Sequence, residues 1–180
     1  RNCDWSSDVC SSDLAVAVSA SSEEFRDAIV TEVRGNTLFI SFKYKSAWYN
    51  NVNPKIKAYV SVARLESLNI SGASDINIAG VFKFDEVKAV LSGASNLKGE
   101  VEVNNGNFVM TGASDCRLTG KADRIKIQAS GASSFKGYEL KAGDADIQAS
   151  GASDVQMTIS ESIVVEASGA SSVHYKGEPR

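Results

Sequence analysis

The residues best suited to chemistry in this chain are few and fall into two sets. Tyr44, Trp48 and Tyr49 stand together in a polar run, KYKSAWYNNVNP, beside asparagines 50, 51 and 53. Aromatic rings offered in polar surroundings stack on sugar faces or anchor a protein interface, so these three are candidate contacts for a ligand or partner. The competing use of Trp48 is to fold back over apolar surface. The second set recurs: Asp75, Asn96, Asp115, Ser134, Asp154 and Ser172 each follow the same four-residue motif. Short Gly/Asp repeats bind calcium in other solenoids, which makes this column a candidate cation ladder. Calcium takes six to eight oxygens, however, and the column offers only one carboxylate in every two members. The simpler expectation is a structural corner ladder whose Ser and Asx side chains satisfy backbone amides.

Three further candidates are weaker. Cys116 falls in an apolar column with Leu97 and Phe135, where a thiol serves as a small buried hydrophobe rather than a nucleophile. His174, the single histidine, lies between Val173 and Tyr175 on an outward position with no acidic partner expected beside it. Asp144 and Asp146 share one strand face, which invites comparison with β-helix enzymes that cleave polysaccharides. No Asp/Lys/Arg cluster is expected to recur on neighbouring coils around them, so the sequence points away from an enzyme. Neither a metal nor any other cofactor is expected.

Composition narrows the field further. The chain has 180 residues, 19 basic against 22 acidic, and a net charge of −3. That balance argues against nucleic acid as a partner, because such binders carry a basic excess. One His and three separated Cys leave little for a zinc site or a His-based triad. No apolar run is long enough for a transmembrane helix.

What must position these residues is a repeat. The tetrad [Ser/Thr]-Gly-Ala-Ser begins at Ser71, Ser92, Thr111, Ser130, Ser150 and Ser168, with spacings of 21, 19, 19, 20 and 18. A period of that size is one coil of a solenoid. Aligning on the tetrad gives apolar columns: Ile70, Leu91, Met110, Ala129, Ala149 and Ala167 just before it, and Ile76, Leu97, Cys116, Phe135, Val155 and Val173 just after. Apolar and polar residues alternate on both sides, as in Arg124-Ile125-Lys126-Ile127-Gln128, which predicts strands with one face buried. The tetrad alanines, Ala73 to Ala170, align as one more apolar column and imply a thin, alanine-lined core. The expected fold is therefore all-β, a parallel β-helix or β-solenoid with coils of about 18–21 residues. An antiparallel sandwich does not explain why the period survives six times.

The chain before the repeat is less regular. Residues 28–33 and 38–42 read as two strands joined at Gly35-Asn36, and Ile56, Ala58, Val60 and Val62 alternate as a third. Residues 15–66 are thus expected to form opening strands and a loop that cap the coils of 67–180, within a single domain spanning 15–180. Residues 1–14 read differently. The string DWSSDVCSSDL resembles the in-frame translation of a sequencing-library adapter, and it lacks the apolar core of a signal peptide. Setting 1–14 aside as a disordered leader leaves 18 basic against 19 acidic residues and one cysteine, Cys116.

Taken together, the SGASD-type repeats, the GNTLFISF strand pair, the Lys/Trp/Asn loop, the KAYVSV strand and the closing Tyr-Lys-Gly-Glu-Pro resemble the putative auto-transporter adhesin, head GIN domain family. The resemblance covers about Ala15 to Arg180, and it implies a secreted or cell-envelope β-solenoid of Gram-negative bacteria. It also implies that the chain is a fragment, because the signal peptide and first strands are missing. The expected function is a non-enzymatic adhesion or interaction module with a glycan or protein as surface ligand. A polysaccharide-active enzyme and a purely structural protein that self-associates end to end are the alternatives.

Overall fold

The computed structural model describes residues 14–43 and 55–180, so the leader up to residue 13 lies outside the described residues. Contacts divide the chain into two units, Arg1–Arg64 and Leu65–Arg180. In the first unit, local sequence rules act over short distances. Strand β1 (Leu14–Ala20) is followed by a single helical turn, α1 (Glu23–Asp27), then by β2 (Ile29–Arg34), β3 (Thr37–Phe42) and β4 (Ile56–Val62). Ser22 starts the turn by accepting the Phe25 amide on its hydroxyl, the role Ser plays at an N-cap. β2 and β3 form the expected hairpin, with Gly35 at φ +60° supplying the left-handed conformation that a two-residue turn needs.

The partner of β4 is not β3 but β1, in antiparallel register from Leu14 opposite Val62 to Ala20 opposite Ile56. Leu14, counted with the leader by sequence, is therefore the first residue of a strand. This strand escapes a sequence reading because its small residues alternate only weakly and its partner is more than thirty residues away.

In the second unit the repeat becomes a stack. β5 (Ser67–Ile70), β6 (Asp75–Leu91), β7 (Asn96–Met110), β8 (Asp115–Ala129), β9 (Ser134–Ala149), β10 (Asp154–Ala167) and β11 (Ser172–Lys176) form one seven-stranded sheet in that order. Every neighbouring pair is parallel, and the sheet winds into a β-solenoid of about six turns. Each long strand carries most of a coil, and its side chains meet their equivalents one coil away, roughly 4.8 Å distant. Leu97, Cys116, Phe135 and Val155 follow one another in register inside, as do Leu91, Met110, Ala129 and Ala149.

The interior is better filled than the sequence implies. Phe108 and Phe135 are buried edge to face with ring centroids 5.6 Å apart. Gly137 makes room for Phe135 and Met157: a Cβ there would stand 2.8 Å from the Phe135 ring and 2.6 Å from the Met157 sulfur. The tetrad alanines, by contrast, are exposed, from Ala73 through Ala170. Each tetrad turns a corner at a glycine of positive φ, and that turn breaks the in-out alternation. The residue that points inward is the fourth, and Ser95, Ser114, Ser133 and Ser153 are all buried.

Candidate functional site

The corner column is assembled by register. Asp75, Asn96, Asp115, Ser134, Asp154 and Ser172 are successive partners across β6 to β11. Their side chains bond to each other and to the next outward column. The Asn96 amide donates to Asp75 at 2.5 Å, Lys136 Nζ lies 2.7 Å from Asp115 Oδ2, and the Gln156 amide donates to Asp154 at 2.8 Å. The other oxygen of Asp115 is buried without a partner. Among the described residues, no group of three or more His, Cys, Asp or Glu side chains is placed to hold a metal ion.

The corner amides are satisfied in another way than the sequence led us to expect. They bond to the backbone of the coil before: Ala113 N to Gly93 O at 2.8 Å, Ala132 N to Gly112 O at 2.8 Å, and so on along the stack. The tetrad serines are donors here, not acceptors of amide hydrogens. Ser95 Oγ donates to Ser92 O at 2.6 Å and Ser114 Oγ to Thr111 O at 3.1 Å, which lets a hydroxyl sit among apolar side chains without a loss. The backbone prevails because coils stacked in parallel bring each corner amide within reach of a carbonyl.

Tyr44, Trp48 and Tyr49 lie outside the described residues. Cys116 is fully buried, and burial, with the Asp115 charge adding to it, pushes its thiol well above the ordinary range. His174 does point outward, but it has an acidic neighbour, its Nε2 lying 3.8 Å from Asp154 Oδ1. Asp144 and Asp146 also have company that the sequence reading missed. Lys126 Nζ stands 2.7 Å from Asp146, Arg124 3.9 Å from Asp144, and Ser162 Oγ donates to Asp144 at 2.5 Å. A cluster of Asp, Lys and Arg thus does span adjacent coils. It was missed because β8 and β9 pair with a register that brings Arg124 opposite Asp144 and Lys126 opposite Asp146.

Beside the tetrad corner runs a shallow groove of about 400 Å³, lined by Gln128, Gln148 and Glu166 together with Ser130, Ser150 and Ser168. Its amides form a chain: Gln128 Nε2 donates to Gln148 Oε1 at 2.8 Å, and Gln148 Nε2 to Glu166 Oε2 at 3.3 Å.

The outward columns keep like charges apart for carboxylates but not for cations. No two carboxylates are register partners anywhere in the parallel sheet. Like charges one coil apart repel by up to about 1 kcal/mol in water, so this spacing avoids a cost that would recur along the stack. Cations meet in register three times: Lys98 opposite Arg117, Arg117 opposite Lys136, and Lys121 opposite Lys141. All three pairs fall on β7, β8 and β9. Alignment on the tetrad contains this signal, since Lys98, Arg117 and Lys136 each stand two residues past the corner column. It is found by reading polar columns as well as apolar ones.

A model of the family described as putative auto-transporter adhesin, head GIN domain matches residues 5–179. No curated protein sequence matches the chain. Among solved structures, a putative adhesin from Bacteroides fragilis is similar at a TM-score of 0.80 and 23% identity, over 92% of this chain and 74% of that one. A putative lipid binding protein from Parabacteroides distasonis is similar at a TM-score of 0.60 and 21% identity, over 93% of this chain and 78% of that one. At those identities the likeness is one of fold.

Proposed function

We propose, from the premise that this chain belongs to the putative auto-transporter adhesin, head GIN domain family, that it is a non-catalytic binding module working outside the cytoplasm, at the cell envelope or beyond it. The observation that supports this reading is the fixed register of the outward columns. Polar side chains recur about every 4.8 Å on a floor whose backbone is hydrogen-bonded coil to coil, so the surface offers many weak polar contacts at set spacing. Such a surface suits an extended or repeating ligand, a glycan or a protein, better than a small molecule, which needs an enclosing pocket. The amide and hydroxyl groove along Gln128, Gln148 and Ser150 adds donors and acceptors of the kind that sugars bond.

The enzyme reading has less support from the geometry. Asp146 is matched by Lys126 and Asp144 by Ser162 and Arg124, which occupies the groups an acid–base pair would need free. A panel of bacterial envelope and host-surface glycans, assayed for both retention and release of reducing ends, tests the choice. Retention without release is expected; release of new ends would replace the binding module with a hydrolase or lyase. Fractionation of cells expressing the complete gene tests the location, and recovery in the cytoplasm would overturn it.

A further inference from the structure

The stack keeps its carboxylates apart and yet sets cations side by side, and only on three neighbouring coils. Lys98, Arg117 and Lys136 form one column on β7, β8 and β9, and Lys121 and Lys141 form a shorter one four or five residues further along the same coils. Lys98, Arg117, Lys121 and Lys141 are exposed. Among the described residues no carboxylate lies within ion-pair distance of Lys98, Arg117 or Lys141. Lys136 is matched by Asp115 and Lys83 by Glu102, and Lys121, in register opposite Glu102, helps Lys83 to hold that carboxyl low. Unmatched cations held one coil apart repel each other in the free protein. A bound anion relieves that repulsion, because one anionic group can be shared between two cations in adjacent coils.

We propose that this strip binds a linear acidic polysaccharide through its carboxylate or sulfate groups, with the polymer running along the solenoid axis. The proposal rests on the binding-module reading and names its ligand class and its site. The axial direction follows from the columns, which place successive cations roughly 4.8 Å apart along the axis. Sparse charge in the polymer follows from the surroundings. Glu100, Glu102, Asp115 and Glu139 flank the cations, and the whole chain is net negative. A duplex nucleic acid, with a negative charge about every 1.7 Å, would be repelled by these carboxylates, whereas a sugar chain with a charge on each ring or every second ring fits between them. Stacking of bases is also disfavoured, since the exposed Tyr138 beside the strip already has Lys176 Nζ 4.3 Å from its ring centroid.

Calorimetric titration of the full chain with polygalacturonate and with chondroitin sulfate, at low and high salt and with neutral dextran as control, tests the assignment. Binding to the acidic polymers that falls with salt is expected, together with a loss of about tenfold or more in Lys98→Gln/Arg117→Gln. The same double variant should melt at the same or a higher temperature, since like charges are removed, while Lys88→Gln on another column should leave affinity unchanged. No binding to either acidic polymer, equal binding by the double variant, or tighter binding to a DNA duplex or to anionic phospholipid vesicles would overturn the strip. Glycan-panel retention that survives in the double variant would overturn it while leaving the binding module standing. Acidic-polymer binding without retention of any envelope or host glycan would support the strip and count against that broader reading.

Discussion

The two units of this chain bury their apolar residues by different means. In the first, two separate two-stranded ladders leave Phe39 46% and Ile40 41% exposed, and among the described residues of this unit only Val16, Phe25 and Ala28 are buried apolar side chains. In the second, Phe108, Phe135, Ile127, Ile147 and their neighbours are sealed almost completely, although no single coil could cover them. The difference lies in who covers whom. A two-stranded ladder has few neighbours and stays marginal, whereas each interior coil is covered by equivalent coils above and below. Repetition therefore does for the second unit what a thick core does in an ordinary domain.

Substitutions that separate the two regimes should show this directly. The largest contrast is expected between Phe135→Ala and Phe39→Ala. The first should cost about 3–5 kcal/mol and the second under about 0.5 kcal/mol, read from denaturant melts. Comparable losses would mean that the hairpin ring is buried in solution. Next come the glycines of positive φ. Gly131→Ala sets a Cβ 2.6 Å from Gly112 O and should cost about 2–5 kcal/mol, strain and clash together. Gly35→Ala meets nothing within 4 Å, so only the left-handed conformation is penalised, at about 1–2 kcal/mol. Equal effects would mean that the coils stack less closely at the corner than the Gly112–Gly131 approach requires.

A smaller contrast lies inside the stack. Ser114→Ala should lose about 1 kcal/mol, because its hydroxyl serves the Thr111 carbonyl. Ser133→Ala should be neutral or slightly stabilising, since its buried hydroxyl has no partner. The smallest effect is a pH dependence at Cys116. The folded stack holds the thiol neutral above its ordinary value of 9.0, and the unfolded chain ionises there. The stabilisation is therefore whole below that pH and declines as pH rises above it. In a Cys3→Ser/Cys10→Ser background, Cys116 should resist a disulfide reagent at pH near 8 until denaturant opens the coils. Rapid labelling of the native protein would show that the stack breathes more than its burial implies.

Much of the architecture is legible in the sequence. The tetrad spacing and the flanking alternation announced parallel coils, and Gly35-Asn36 announced the hairpin between β2 and β3. Alternation carried through the tetrad turns the alanine column inward, but a positive-φ glycine reverses which side chain faces in. The β1–β4 pair was missed for a different reason. Neither strand carries a turn signal that names its partner, and long-range pairing leaves no local mark.

The candidate site was less legible than the fold. Alignment placed Asp75, Asn96, Asp115, Ser134, Asp154 and Ser172 in one column, and register puts them there. What that column touches was not readable: Lys136 on Asp115, His174 beside Asp154, and Lys126 on Asp146 all join residues from different coils. The sequence by itself determined the period, the inward apolar columns and the parallel stacking, because those are set by local alternation and simple repetition. Only the tertiary structure decided which way each tetrad residue faces, which charges become neighbours and where cations are left unmatched. Those depend on the register between coils about twenty residues apart, and a bulge of one residue in either coil shifts it.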